Sequence, residues 1–217
     1  MINLNRGLKA VRRPMAAALI CGAVLVSLQG CVGIMVGGAV VGTLAATDRR
    51  TLGAQTEDKA IAVKGETRIP NVAGPDAHVN VTSFNRKVLL TGEVRDEAAK
   101  AAAGREAAAI EGVQSVVNEL GIGGPASYTS RSNDAVITGK VKASFVDNKT
   151  LSANSVKVVT ERGEVFLMGR VTQSEGNLAA EITRGVSGVI KVVKVFEYIT
   201  DEEYRMLSTT PDTVQKK

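Results

Sequence analysis

The chain is poor in the side chains that most often carry enzyme chemistry. Its 217 residues include no tryptophan, one histidine and two cysteines, with four phenylalanines and three tyrosines. A core must therefore be built from Val, Ile, Leu and Ala, and the length allows one medium domain or two small ones. So few histidines and cysteines exclude Cys/His metal centres, and a Ser-His-Asp arrangement would have to use His78. His78 is predicted to be a solvent-facing loop residue just before a strand.

The sequence also lacks the motifs of common enzyme classes. No glycine-rich loop ends in Gly-Lys-Ser/Thr, so a P-loop is lacking. The stretch "GVSG" at 185–188 does not have the spacing of a nucleophile elbow, and the carboxylates are scattered. We expect no catalytic residue, no metal site and no cofactor, and interpret the chain as a binding protein, not an enzyme.

The positive charge is local. The net charge is +5, but Arg6, Lys9, Arg12 and Arg13 all lie before residue 14, and without them 23 basic residues face 22 acidic ones. A basic chain can indicate nucleic-acid binding. The balance after residue 14 predicts no nucleic-acid partner.

Residues 1–30 have the parts of a secretory signal. The basic n-region is followed by an apolar run from Met15 to Leu28 and by Gln29, Gly30 and Cys31. This end resembles a bacterial lipobox, whose cysteine is acylated before cleavage; Cys21, preceded by Ile20, does not fit. The resemblance implies a signal peptide over 1–30 and a lipidated Cys31, and Val32 in place of Asp implies sorting to the outer membrane. The alternative for Cys31 is a buried small apolar residue.

Residues 31–56 are predicted to be a tether after the lipidated cysteine. The stretch "VGIMVGGAVVGTLAA" at 32–46 carries no charge but is shorter than the roughly 20 residues of a membrane-spanning helix. Its glycines also have the spacing of helix-packing faces, so a packed helix remains an alternative to a flexible apolar segment at the bilayer surface. At the other end, 201–217 is polar and is predicted to be disordered.

The rest of the chain contains one unit twice. "VNVTSFNRKVLLTGEV" at 79–94 matches "VKVVTERGEVFLMGRV" at 156–171, "DKAIAVK" at 58–64 matches "DAVITGK" at 134–140, and "EGVQSVVN" matches "SGVIKVVK" at 187–194. The offset is 76 or 77 residues. We place the units at 57–124 and 132–200, and the short link between them predicts that they pack against each other.

Hydrophobic periodicity orders the elements within a unit. In the second copy Ile137, Val141 and Phe145 form one helical stripe, "VKVVTERGEVFLMGRV" alternates as a hairpin, "QSEGNLAAEITRGV" is a second helix and "VIKVVKVFEYI" a single last strand. The order α-β-β-α-β predicts an α+β fold, with two helices on one face of a small three-stranded sheet. Gly92 and Gly169 are predicted to mark strand bends or close backbone approaches.

These residues carry a resemblance. A duplicated unit with Val-x-Leu-x-Gly on its second strand and Gly-Val-x-x-Val before its last is similar to the BON domain. With the lipobox and "ATDRRTLGAQTED", the chain resembles the outer-membrane lipoproteins that carry two BON domains. The resemblance implies an acylated protein on the outer membrane, with its domains facing the periplasm and supporting envelope integrity.

The family also implies a ligand. BON domains are linked to phospholipid surfaces. In this family the implied contact is made by the first helix of the second unit, on anionic phospholipid. The predicted phospholipid-binding residues are Val136, Lys140, Val141, Lys142 and Ala143, of which Val141 also belongs to the buried stripe. The charge balance of the two units agrees with an anionic ligand for the second. Residues 57–124 include 8 basic and 10 acidic residues, whereas residues 132–200 include 9 basic and 7 acidic residues.

One departure and one alternative accompany this prediction. The family has a tryptophan in this helix, where the chain has Val136, and tryptophan is a strong interface anchor. The competing function is a protein–protein adaptor, because the family is associated with the barrel-assembly machinery of the outer membrane and with control of cell-wall amidases.

Overall fold

The structure is a computed structural model that describes residues 48–148 and 150–208. The predicted signal peptide and Cys31 lie outside the described residues. Within the described ranges, no helix is both long enough and apolar enough to cross a membrane.

The first unit has two helices and a mixed sheet. Thr51 caps the first helix through a hydrogen bond from the Ala54 N–H, and Asp96 caps the second in the same way from Ala99. Strand β2 lies between β1, which is antiparallel to it, and β3 and β4, which are parallel to it. The elements are α1 Leu52–Ala73, β1 His78–Phe84, β2 Lys87–Val94, α2 Glu97–Ala108, β3 Ser115–Asn118 and β4 Gly121–Ile122.

The second unit repeats this order. Strand β6 is central, antiparallel to β5 and parallel to β8, and a short parallel pair, β7 and β9, extends the arrangement. The elements are α3 Tyr128–Asp147, a 3₁₀ turn Ala153–Ser155, β5 Lys157–Glu161, β6 Glu164–Met168, β7 Arg170–Val171, α4 Gln173–Arg184, β8 Lys191–Lys194 and β9 Glu197–Tyr198. The predicted α+β units with α-β-β-α-β order are confirmed.

Two details of the strands differ from or add to the prediction. The last strand of each unit is divided into two short strands, β3 and β4 in the first unit and β8 and β9 in the second. A Cβ at Gly169 would lie 2.3 Å from the Ser155 carbonyl oxygen, and one at Gly92 would lie 2.0 Å from the His78 carbonyl oxygen. Both glycines are therefore close backbone approaches, as predicted.

Each unit buries its helices against one face of its sheet. In the first unit the cluster joins Ile61 and Ile69 of α1 to Ala103 of α2 and Leu90 of β2. In the second, Ile137, Val141 and Phe145 of α3 meet Val165 and Leu167 of β6. Small alanines on α2 and α4 let the helices lie close to the sheets, and the cores are mainly aliphatic, with Phe145 and Phe196 added in the second unit.

The other faces of the two sheets meet each other. Phe84 and Leu89 of the first unit form one buried cluster with Phe166, Met168 and Val195 of the second. Polar contacts surround it: Asn85 donates to Glu197 at 2.6 Å and Lys87 to the Phe196 carbonyl at 3.1 Å. The expectation that the units pack against each other is confirmed, with sheets inside and helices outside.

Two arginines before α1 connect the units. Arg49 donates to both carboxylate oxygens of Glu175 at 2.8 and 2.6 Å, whereas Arg50 pairs with Asp58 at 2.8 Å and lies over the Phe84 ring. The ordered chain extends upstream into the segment predicted as a tether, with α1 beginning at Leu52. The three buried clusters contain only residues from Ile61 to Phe196, and the chain from Thr47 onward forms a compact unit, so a fragment 47–217 contains the whole described core.

The predicted disorder of the tail is wrong for residues 201–208. They form helix α5, Asp201–Ser208, with three acidic residues in its first turn, where the helix dipole favours negative charge. Glu203 pairs with Arg170 at 3.0 Å, and the Arg49 guanidinium lies 4.7 Å from the centre of the Tyr204 ring. These contacts hold a segment whose polar composition indicated disorder.

Candidate functional site

Helix α3 lies on the outside of the second unit with one face buried. Ser127 caps it by accepting a hydrogen bond from the Ser130 N–H. Ile137, Val141 and Phe145 are buried against the sheet, and the Thr138 hydroxyl donates to that of Thr160 on β5 at 2.7 Å. This fixes which side of α3 faces solvent.

The opposite side of α3 carries a stripe of small and apolar residues. Val136, Gly139, Ala143 and Val146 follow one another at helical spacing and are all exposed, Val136 by 54% and Val146 by 71% of its surface. We call these four residues the outer face of α3. Because valines are unusual in such exposed positions when they stand together, the outer face is a candidate contact surface.

Two lysines border the outer face. Lys140 and Lys142 are both exposed and lie about 100° to either side of the buried Val141. The acidic residues of α3 are Asp134 and Asp147, and Asp134 is turned inward, where it accepts hydrogen bonds from the backbone of Arg162 and Gly163. The outer face is therefore apolar along its middle with a lysine at each edge, and the exposed Asp147 lies at its C-terminal end.

An aromatic side chain stands at the start of the same helix. Tyr128 is 87% exposed and lies about five helical turns before Val146, on the same side. The Arg131 guanidinium lies 5.7 Å from its ring centre. A tyrosine beside an arginine extends the apolar and positive character of the outer face to the helix N-terminus.

Comparison with known proteins gives the family. The BON domain family model matches residues 57–124 and 133–200. The chain belongs to the BON domain family. The sequence-based recognition of two tandem BON domains is confirmed, and helix α3 is the first helix of the second BON domain.

Three relatives show how far the similarity extends. The outer membrane lipoprotein DolP of Haemophilus influenzae is 42% identical over 185 residues, which cover 84% of this chain and 95% of that protein. The 21 kDa hemolysin of Actinobacillus pleuropneumoniae is 36% identical, over 70% of this chain and 79% of its own length. The osmotically-inducible protein Y of Escherichia coli is 29% identical, over 63% and 70%.

The predicted phospholipid-binding residues divide into two groups. Val136, Lys140, Lys142 and Ala143 are exposed on or beside the outer face. Val141 is fully buried in the core of the second BON domain, so its assignment to a surface contact is wrong. A residue at the centre of the buried stripe cannot also reach the opposite side of a helix.

Two exposed residues on this side of α3 were missed by sequence reasoning. Tyr128 lies before the predicted start of the unit at residue 132, and Val146 was not considered. The signal was present, because Val136, Gly139, Ala143 and Val146 repeat at three and four residues along one side of the helix. Extending the predicted helix by one turn at each end would have found both.

The first helix of the first BON domain lacks this surface. At the offset of the repeat, Lys142 is replaced by Glu66 and Ala143 by Thr67. Lys64, the counterpart of Lys140, lies 3.5 Å from Glu111. Val63 is 62% exposed, but the exposed Lys59 and Lys64 near it are accompanied by the exposed Glu66.

A cleft opens beside the C-terminal end of α3. It has a volume of about 310 Å³ and is lined by Lys142, Val146, Val156 and Lys157, among others. Burial lowers the pKa of Lys157, and the neighbouring charges of Arg50 and Lys142 lower it further, outweighing Asp58 and Asp48. Two lysines that repel each other across a cleft form an environment suited to an anion.

A second group of polar side chains lies between the BON domains. His78 and Glu93 come from the first domain and Glu161 from the second, and one ligand atom of each lies within 4.8 Å of the others. His78 begins β1 and is half-buried, so the prediction of a solvent-facing loop residue is wrong. The β1–β2 register places it opposite Glu93, which is fully buried.

Proposed function

We propose that this chain is a non-enzymatic outer-membrane lipoprotein that binds anionic phospholipid through helix α3 of its second BON domain and so supports envelope integrity. Acylated Cys31 anchors it, and the BON domains face the periplasm. The observation that carries the lipid proposal is the outer face of α3, an exposed apolar stripe between Lys140 and Lys142. The similarity to a relative named as an outer membrane lipoprotein supports the location.

The outer face matches the chemistry of a membrane surface. An anionic leaflet is negative at its headgroups and apolar beneath, and helices that lie in this interface combine an apolar stripe with basic residues. Each lysine near such a surface contributes about 1 kcal/mol of attraction. Lys140 and Lys142 would meet headgroups while Val136 and Val146 enter the boundary with the acyl chains.

Two further features support this orientation. Tyr128 offers an exposed ring at the helix N-terminus, and tyrosine is enriched at membrane interfaces as tryptophan is. At the other end, the cleft lined by Lys142 and Lys157 has room for a phosphate group. Together they provide an apolar anchor and a headgroup contact although the family's tryptophan is replaced by Val136.

The lipid contact has a role distinct from anchoring. Acyl chains on Cys31 would hold the protein on its membrane without any help, because more than one chain suffices for stable attachment. The outer face would instead select anionic regions and orient the BON domains on them.

Mapping of the contact by NMR tests the proposal. Backbone amide spectra of fragment 47–217 would be recorded with micelles of anionic and of zwitterionic lipid. We expect anionic micelles to shift or broaden signals of residues 128–147, while those of α1 stay unchanged. Shifts confined to the first BON domain, or none at all, would contradict the proposal and favour a protein-docking adaptor.

Anchoring is tested separately with Cys31→Ala in the full chain. The variant should carry no lipid and should leave the outer-membrane fraction, as measured by metabolic labelling with a fatty acid and by membrane fractionation. A variant that is still labelled would show that Cys31 is not the acylated residue.

A further inference from the structure

The cluster between the BON domains has the composition of a metal site. Imidazole nitrogen and carboxylate oxygen are ligands that Zn²⁺ binds in proteins. We propose that His78, Glu93 and Glu161 hold a divalent transition-metal ion, with Zn²⁺ the best match, and that this ion links the two BON domains.

The spacing of the ligand atoms is close to that of a bound ion. His78 Nδ1 lies 3.5 Å from Glu93 Oε2, and two ligands at the usual distance from a tetrahedral zinc are about 3.4 Å apart. The three ligand atoms all lie within 4.8 Å of one another, so Glu161 has to approach by roughly 1 Å, which a side-chain rotation provides.

A buried nitrogen without a hydrogen bond gives an independent indication. Among the described residues, His78 Nδ1 is one of few buried side-chain polar atoms with no hydrogen-bond partner. Such atoms cost free energy unless a partner is supplied. The ring nitrogen lies 3.5 Å from Glu93 Oε2, and a metal ion bound between the imidazole and the carboxylates would provide the partner for its lone pair.

The charges around the cluster leave a place for a cation. Two carboxylates, Glu93 and Glu161, lie together beside His78. Arg162 is 2.8 Å from Glu93 Oε1, on the side away from the Oε2 atom that faces His78. Arg131 and Asp134 line the adjacent cleft, and the Asp134 carboxylate accepts hydrogen bonds from the backbone N–H groups of Arg162 and Gly163.

Neighbouring groups hold the ligands in place. The Asn80 amide donates to Glu161 Oε2 at 2.9 Å, and the Ala126 N–H donates to Glu93 Oε2 at 3.0 Å. Such contacts orient metal ligands and raise affinity. A cleft of about 280 Å³, lined by His78, Asn80 and Glu161 among others, gives an ion access from solvent.

The internal repeat indicates one site in the tandem domains. At the offset of 77 residues, His78 is replaced by Ser155 and Glu93 by Arg170. Arg170 forms ion pairs with Glu197 and Glu203, so the equivalent position in the second BON domain is positive. We therefore expect one ion per chain.

Zinc titration of fragment 47–217 without a histidine tag tests the proposal. Affinity would be measured by competition with a chromophoric chelator, and the single histidine of the chain gives isolated imidazole signals by NMR. One Zn²⁺ per chain should bind, shift the His78 signals and raise the melting temperature.

Variants make the test specific. His78→Ala and Glu161→Gln should each weaken zinc binding by about tenfold or more, with melting curves to show that both are folded. Glu164→Gln is the matched control, because Glu164 is a partly exposed carboxylate on the same hairpin as Glu161 and pairs with Lys191 of β8. Unmoved His78 signals at saturating zinc, or equal affinity in the parent and His78→Ala, would overturn the proposal.

Discussion

Asp134 occupies in the second BON domain the place that Asp58 occupies in the first. Each is a buried carboxylate on the first helix of its domain that accepts hydrogen bonds of 2.7 to 2.9 Å from the two turn residues of its hairpin, Asn85 and Arg86 for Asp58 and Arg162 and Gly163 for Asp134. All four turn residues have positive φ, which is typical of tight two-residue hairpin turns. The aspartates therefore tie helix to hairpin in both copies of the unit.

Asp58→Asn should destabilise the protein by about 2–4 kcal/mol at pH 7, because a buried charged acceptor of several hydrogen bonds is lost. Burial alone would raise the pKa of Asp58, but hydrogen bonds from Ser83, Arg86, Arg50 and Asn85 outweigh it and hold the pKa below its usual value. The carboxylate thus stabilises the fold above the usual pKa of aspartate and loses this effect as the pH falls through the lower, folded value.

Urea unfolding of fragment 47–217 at pH 7 and at about pH 3 checks this. The stability difference between parent and Asp58→Asn should shrink at the lower pH. Asp76→Asn, which changes an exposed carboxylate after α1, should behave as the parent does at both. A difference that does not depend on pH would contradict the account of Asp58.

Gly92→Ala should destabilise the first BON domain by about 1–3 kcal/mol. The residue has φ +108°, and an added Cβ would lie 2.0 Å from the His78 carbonyl oxygen. Gly139→Ala is the contrasting variant, because nothing lies within 4 Å of its added Cβ; it should stabilise α3 by about 1 kcal/mol. Thermal unfolding of both variants measures the changes in stability. The same change in both variants would contradict these two predictions.

Arg49→Ala should loosen the N-terminal segment and α5 together. Arg49 binds Glu175 through two hydrogen bonds and lies over Tyr204, and truncation of a partly buried pair costs about 2 kcal/mol or more. Amide hydrogen exchange should become faster in residues 201–207 of this variant. Arg95→Ala removes an exposed arginine that pairs with its neighbour Asp96 and should leave that exchange unchanged; equal protection of α5 in both variants would argue against the contact.

Much of the fold was predictable because the chain contains the same pattern twice. Asp58 and Asp134, Gly92 and Gly169, and the stripe through Ile137 all fall at matching positions, and their roles in the structure agree. The division of the last strand was not visible, since in the second unit the alternation of Val193 and Val195 continues across it. Helix α5 was missed because Arg49 and Arg170, which hold it, are distant in sequence.

The two candidate sites differ in how far the sequence reveals them. The outer face of α3 lies within one helix, so helical spacing identifies Val136, Lys140 and Lys142. The cluster of His78 and Glu161 joins residues of two domains, which only the packing of one sheet on the other brings together. No spacing motif links them, and the exclusion of Cys/His centres did not address a histidine combined with carboxylates.

Val136→Glu should weaken binding of fragment 47–217 to anionic vesicles by about tenfold, because a carboxylate on the outer face opposes both the apolar boundary and the negative headgroups. Val136→Trp should strengthen it by adding an interface anchor. Val63→Glu is the matched control, since Val63 is similarly exposed on the corresponding helix of the first BON domain. Equal loss in Val136→Glu and Val63→Glu, measured by vesicle flotation, would contradict a contact made by α3.

The most direct test of the lipid proposal is vesicle sedimentation of fragment 47–217 carrying Lys140→Glu with Lys142→Glu. The comparison is Lys59→Glu with Lys64→Glu, which makes the same change in net charge on the exposed side of α1. At low salt the first pair should lower affinity for anionic vesicles by more than about tenfold, the second pair should change it little, and high salt should weaken the parent. Binding of the Lys140/Lys142 variant as strong as that of the parent would contradict the account.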